Sequence, residues 1–178
     1  MKWMMTLALM SVMTACNATT PKPPHATASS VGSPQAAFHK YQTFTFAPAN
    51  PPVTDYETTA RSLEVQRRLT PLVQASLEKR GYAQSADSPD LLIKISSGSK
   101  TVSGEAATRG SATGQASRGF IGVDAYDRAT GADVWHGSAV AEIDPARIDD
   151  ALLARGVEGM LADFPVRREQ LPQATPVR

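Results

Sequence analysis

The chain has 178 residues, 18 of them Lys or Arg and 17 Asp or Glu, for a formal charge of +1. It lacks the clustered excess of positive charge that a phosphate backbone requires, so no nucleic-acid partner is expected. Its single cysteine excludes an internal disulfide, and its length suits one hydrophobic core.

Lys2 precedes an apolar run from Trp3 to Val12. At about ten residues this run is only half the length that spans a bilayer, and it reads as a cleaved signal peptide over residues 1–15. Met13, Thr14, Ala15 and Cys16 follow it, placing the cysteine where a bacterial lipoprotein carries its lipidated one. Thr14 and Ala15 are small, as a signal peptidase needs, while Met13 stands where that pattern prefers Leu. Acylated at Cys16, with palmitate among its chains, the mature protein would exceed the two-signal threshold for stable membrane anchoring. Asn17, not Asp, comes next, which points to the outer membrane with the chain on its periplasmic face. Loss of residues 1–15 leaves 17 basic and 17 acidic side chains.

Residues 17–37 carry Pro21, Pro23, Pro24 and Pro34, one charged side chain and no aromatic. With Cys16 they read as a disordered tether, about 25 Å in root-mean-square span. One periplasmic domain is expected over residues 38–165, and a flexible tail over 166–178.

Within the domain, alternation in Tyr41–Ala47 predicts a half-buried strand with Phe44 and Phe46 on one side. From Glu57 to Arg80, Val65, Leu69, Leu72, Val73 and Leu77 recur at spacings of three and four, one face of a helix that Gly81 ends. At Thr70-Pro71 either a second helix begins or the first one kinks. A second strand over Asp90–Ile95 then buries Leu91, Ile93 and Ile95, and the strand–helix–strand order predicts that the two strands are parallel. Residues 96–118 are almost all small or polar, with only Val102 able to anchor a core, and read as a long solvated loop, though Thr101–Glu105 could extend the preceding strand.

Gly119–Asp127 and Asp133–Ile143 predict a hairpin turning at Gly131. Trp135 shares a face with Gly137, Ala139, Ala141 and Ile143, small company that leaves room for an indole against the helices. Asp144-Pro145 suits a helix start, and Ile148, Leu152, Val157, Met160, Leu161 and Phe164 supply its apolar stripe. Gly156 and Gly159 cost such a helix about 1 kcal/mol each, offset by close approach to the sheet. The sum is a two-layer α/β sandwich in the order β-α-β-β-β-α, a mixed four-stranded sheet with two helices on one face.

Together, Tyr41-x-Thr43-Phe44-x-Phe46, the helix end at Leu77 to Gly81-Tyr82, Ser88-Pro89-Asp90-Leu91-Leu92, Trp135-His-Gly137-Ser-Ala139 and Phe164-Pro165 give the chain its resemblance. It resembles the bacterial lipoprotein family catalogued as domain of unknown function 4136, over most of residues 38–165. The resemblance implies an envelope lipoprotein with no assigned activity, so Cys16 is the one functional residue it carries over.

For chemistry, Asp127 opposite Asp133 in the hairpin would put Asp124 opposite His136, with Ser138 two residues along the same face. A nucleophilic triad also needs a serine on a strained turn and an oxyanion site, which a flat strand does not offer, so these three residues read as a polar surface contact. The three histidines lie far apart in sequence without ligand spacing, and neither a metal nor another cofactor is expected. A non-enzymatic module that binds an envelope protein through a sheet face or an open edge fits best. Binding of a small amphiphile or glycan is the alternative, and a hydrolase the weakest reading.

Overall fold

The computed structural model describes residues 26–48, 51–52, 55–103, 115–144 and 146–167. The signal peptide, Cys16, the first part of the tether and the tail from residue 168 lie outside them. The elements in chain order are β1 (Thr27–Gly32), β2 (Thr43–Phe46), α1 (Ala60–Lys79), β3 (Ala83–Gln84), β4 (Leu91–Ser103), β5 (Gln115–Asp127), β6 (Asp133–Ile143) and α2 (Asp150–Met160). They form one mixed sheet in the order β1-β6-β5-β4-β2-β3, with α1 and α2 packed on the same face.

The parallel pairing of the strands either side of α1 is as expected, Phe44 facing Leu91 and Phe46 facing Ile93. Between them α1 runs unbroken through Pro71. The amide missing at proline removes one ladder bond, and the Thr70 hydroxyl donates to Gln66 O at 3.0 Å one turn back. Thr59 caps the helix start and Ser62 returns the bond, each side chain accepting from the other's amide. At its end Gly81 takes φ +89°, its amide reaching Glu78 O and that of Tyr82 reaching Leu77 O. This double closure needs a left-handed residue.

Six strands, not four, make the sheet. Residues 27–32, assigned to the tether from composition, are β1, which pairs antiparallel with β6 from Thr27↔Val140 to Gly32↔Trp135. Residues 96–103 and 115–118, assigned to a loop, extend β4 and β5 by antiparallel pairing out to Ser103↔Gln115. Small residues there seat larger neighbours: a Cβ at Gly98 would lie 2.9 Å from Tyr56 Cβ and 3.1 Å from Pro52 Cβ. The tail also begins docked, because the Arg167 amide donates to Arg80 O and its guanidinium to Gly81 O, both at 2.9 Å.

The last helix starts at Asp150, later than Asp144-Pro145 suggested. Asp144 instead closes a local turn, accepting from the Ala146 amide at 2.8 Å, while Asp149 caps α2 by accepting from Leu152 N. The glycines of α2 do sit at close approaches. A Cβ at Gly156 would come within 2.9 Å of Ile121 Cδ1, and one at Gly159 within 2.9 Å of Ala28 Cβ.

The core lies between this helix layer and the sheet, centred on Phe44, Leu69, Val73, Leu91, Ile93, Trp135, Met160 and Phe164. The Trp135 indole folds flat along its own strand over Gly137, where a Cβ would fall 2.9 Å from both Cζ2 and Cζ3. Gly137→Ala is therefore expected to cost about 2 kcal/mol by overpacking. Chemical denaturation should show the penalty largely vanishing in a Trp135→Leu background, where the indole is gone.

Candidate functional site

Three features stand apart from the core. The first is the polar cluster on the sheet face away from the helices. β5 and β6 pair with Asp124 directly opposite His136, and His136 Nδ1 lies 2.5 Å from Asp124 Oδ1. The register used to reach this pairing differs by one residue, since Asp133 faces Tyr126 and not Asp127. A β-bulge at Ala125/Tyr126 absorbs the difference, and it turns both Val134 and Trp135 into the core. Asp127 serves the hairpin turn instead, its carboxylate accepting from the Ala129 and Thr130 amides and from the Tyr41 hydroxyl. Burial, and then the Asp127 carboxylate, push the Tyr41 phenol up to about 12.

Ser138 sits opposite Gly122 and, on its other side, opposite Ser29 of β1, their hydroxyls 3.2 Å apart. The structure thus brings Asp124 and His136 together and engages Ser138 with a residue of another strand. Beside them, burial and then the Asp124 charge raise the Asp133 carboxyl above its ordinary value. Among the described residues every positive φ belongs to a glycine, so no strained nucleophile is held here. Nor do three or more His, Cys, Asp or Glu side chains of the described residues converge as a metal site.

The second feature is a cleft of about 1080 Å³ where the N-terminal ends of α1 and α2 part above the far half of the sheet. Its floor is apolar, with Ile121, Ala139 and Ile143, and Leu152 walls one side. Arg61 and Arg147 stand among the polar lining residues.

The third is the free edge of β1. The Ser33 amide donates to Val134 O at 2.9 Å, which fixes the parity of the strand. Thr27, Ser29 and Val31 turn their backbone groups toward β6, and Ala28, Ser30 and Gly32 turn theirs outward. Among the described residues β1 pairs with nothing on that side. Composition hid this strand because it has no large apolar residue except Val31; the available signal was β-branched Thr27 and Val31 in a stretch free of proline.

A solved PDZ domain protein from Parabacteroides distasonis has a similar fold, with a TM-score of 0.54 at 12% identity over 82% of this chain. This chain spans 37% of that protein's length. PelC from Paraburkholderia phytofirmans, solved as a dodecamer, is similar with a TM-score of 0.51 at 10% identity, over 81% of this chain and 100% of PelC. A single-residue variant of PelC gives a TM-score of 0.51 at 11% identity. No curated protein matches the chain significantly. No helix among the described residues is long and apolar enough to cross a membrane. The model of the family described as domain of unknown function DUF4136 matches residues 29–166, taking in the sheet from within β1 and both helices, and the chain belongs to that family.

Proposed function

We propose that this protein is an outer-membrane lipoprotein anchored through Cys16, and that its periplasmic domain is a non-catalytic interaction module which accepts a strand from an envelope protein on the edge of β1. The observation that carries the reading is the regular six-residue edge of β1, with outward-turned backbone groups at Ala28, Ser30 and Gly32. Main-chain hydrogen bonds at such an edge supply affinity, and a lipid anchor supplies local concentration. PelC, a dodecamer, offers an instance of this fold in an assembly. Catalysis is not part of the proposal, because Ser138 lies on a regular strand with its hydroxyl against that of Ser29, not on a strained turn.

Two measurements test the two halves. Cys16→Ser should leave an unprocessed precursor that incorporates no labelled fatty acid; equal labelling of variant and parent overturns the anchor. Cross-linking pull-down from intact envelopes should recover a partner with the parent chain and lose it with Ser30→Pro, which deletes an outward amide. Recovery by both chains overturns strand addition.

The cleft between the helix starts favours a second reading, binding of a small amphiphile with its chain on the Ile121 and Ala139 floor. A thermal-shift titration with a single-chain phospholipid should raise the melting temperature of the parent and leave that of an Ala139→Arg variant unmoved.

A further inference from the structure

We infer that the strand taken up by β1 is the β1 of a second copy of this chain, the two running antiparallel about a two-fold axis at Ser29 and doubling the six-stranded sheet. The inference rests on the strand-addition reading above and names its partner.

Within the strand itself the edge lacks the charges, prolines and bulges that keep edges apart. Thr27–Gly32 contains no charge and no proline, and it pairs with β6 over all six residues without a register shift. The opposite edge, β3, is only two residues long. Pairing two β1 strands would therefore leave just these short ends exposed. The chain preceding β1 is a poor occupant, because Pro21, Pro23 and Pro24 lack the amides a strand must donate.

The strand is also its own complement. A two-fold at Ser29 sets Ala28 against Ser30 and Ala26 against Gly32, so that outward-turned backbone meets outward-turned backbone at each pair. The same axis sets Val31, 70% exposed and the most exposed large apolar side chain among the described residues, against Thr27. Two β-branched residues directly opposite on one face are a favourable cross-strand pair.

The helix layer fits as well. α2 approaches β1 at Gly159–Ala28 and β6 at Gly156–Ala139, which puts its axis over the line between the two strands. With strands about 4.8 Å apart, joining two β1 edges brings the two α2 axes to about 10 Å, the distance at which helices pack. Two of the exposed positions toward the end of this helix layer are small, Gly159 and then Ala162 in the turn that follows, while the exposed Asp163 carboxylate accepts from the Ser30 hydroxyl at 3.1 Å beside the edge.

The test uses the full chain in detergent. Light scattering should report a protein dimer, and Ser30→Pro should halve the protein mass while leaving Trp135 emission unchanged, since the amide it deletes points away from β6. Ser29→Lys, which sets two like charges face to face without touching the outward amides, should have the same effect. Ser29→Cys should cross-link to a reducible dimer, because directly opposed residues that do not exchange hydrogen bonds stand about 4.5 Å apart at Cα, within disulfide reach. Leu63→Cys, exposed on α1, should give no more dimer than Cys16 alone.

A monomer at every concentration overturns self-pairing. So does a dimer or larger ring that survives both edge substitutions, or equal cross-linking at positions 29 and 63. A monomeric chain that captures another envelope protein, and loses it on Ser30→Pro, overturns self-pairing and leaves strand addition standing. Capture unaffected by Ser30→Pro overturns both.

Discussion

Trp135→Ala is expected to lower the unfolding free energy by about 3–5 kcal/mol, the range for removing a large aromatic from a packed core. The indole is 2% exposed, stands edge-on to Phe164 at 5.0 Å between centroids, and lies along the floor that Gly137 leaves open. Phe164 in turn meets Phe38 and Tyr82 edge-on at 5.6 and 5.4 Å, so the tryptophan is one member of a connected aromatic group. That group closes the end of the barrel-free sandwich where α2 stops and the chain returns to the end of α1. Deleting the indole opens a cavity that a sheet backbone on one side and a helix end on the other cannot collapse to fill. Urea denaturation of parent and variant checks the magnitude. Trp3 is the only other tryptophan and belongs to the expected signal peptide, so emission from the processed protein reports on Trp135 alone. It should be blue-shifted and resist iodide. A solvated spectrum together with an equally stable alanine variant would show that the indole is outside the core.

The same residue shows what the sequence made legible. Trp135 is large among small neighbours on one strand face, and a side chain that needs space beside residues that leave it predicts burial without knowledge of the register. Gly156 and Gly159 were readable for the same reason, a helix penalty that implies contact. The parallel pair around α1 followed from hydrophobic period, which marked the three elements, and from their strand–helix–strand order. β1 did not, because its stability comes from bonds to β6 and from the Ala28–Gly159 contact, and neither leaves an apolar pattern in Thr27–Gly32. The far halves of β4 and β5 were hidden by the opposite logic to Trp135. Gly98 looks like a loop residue until Tyr56 and Pro52 are seen resting on it. The start of α2 was misplaced because two acidic caps compete within six residues, and nothing local favours Asp149 over Asp144. The Asp124–His136 pair was reached from a turn register one residue off, which the bulge at Ala125/Tyr126 compensates, and Asp124 proves buried; the β1 edge required the strand itself.

Asp90→Ala should be the second most damaging substitution, costing about 3 kcal/mol through loss of hydrogen bonds to a charged acceptor. Oδ2 of Asp90 accepts from the Gln42 amide at 2.7 Å, the Thr43 amide at 2.9 Å and the Thr43 hydroxyl at 3.0 Å. Its own amide donates back to Thr43. One side chain thus locks the start of β2 to the start of β4, where Phe44 and Leu91 enter the core. Burial alone would raise its carboxyl, but the bonds from Gln42 and Thr43 and the charge of Arg167 outweigh this and hold it below the ordinary 3.8. A depressed folded value fixes the sign of the pH dependence. The ionised group's contribution is whole above the unfolded value of about 3.9 and is lost as pH falls through the folded one. Asp90→Asn, which keeps the shape and one acceptor oxygen, should accordingly be less stable than the parent at neutral pH by more than it is in acid. Denaturation of both chains from pH 7 down to pH 2 should show the gap closing as the parent's carboxylate takes up its proton. A gap that stays constant across that range would mean that the charge on Asp90 contributes nothing, and that geometry alone joins the two strands.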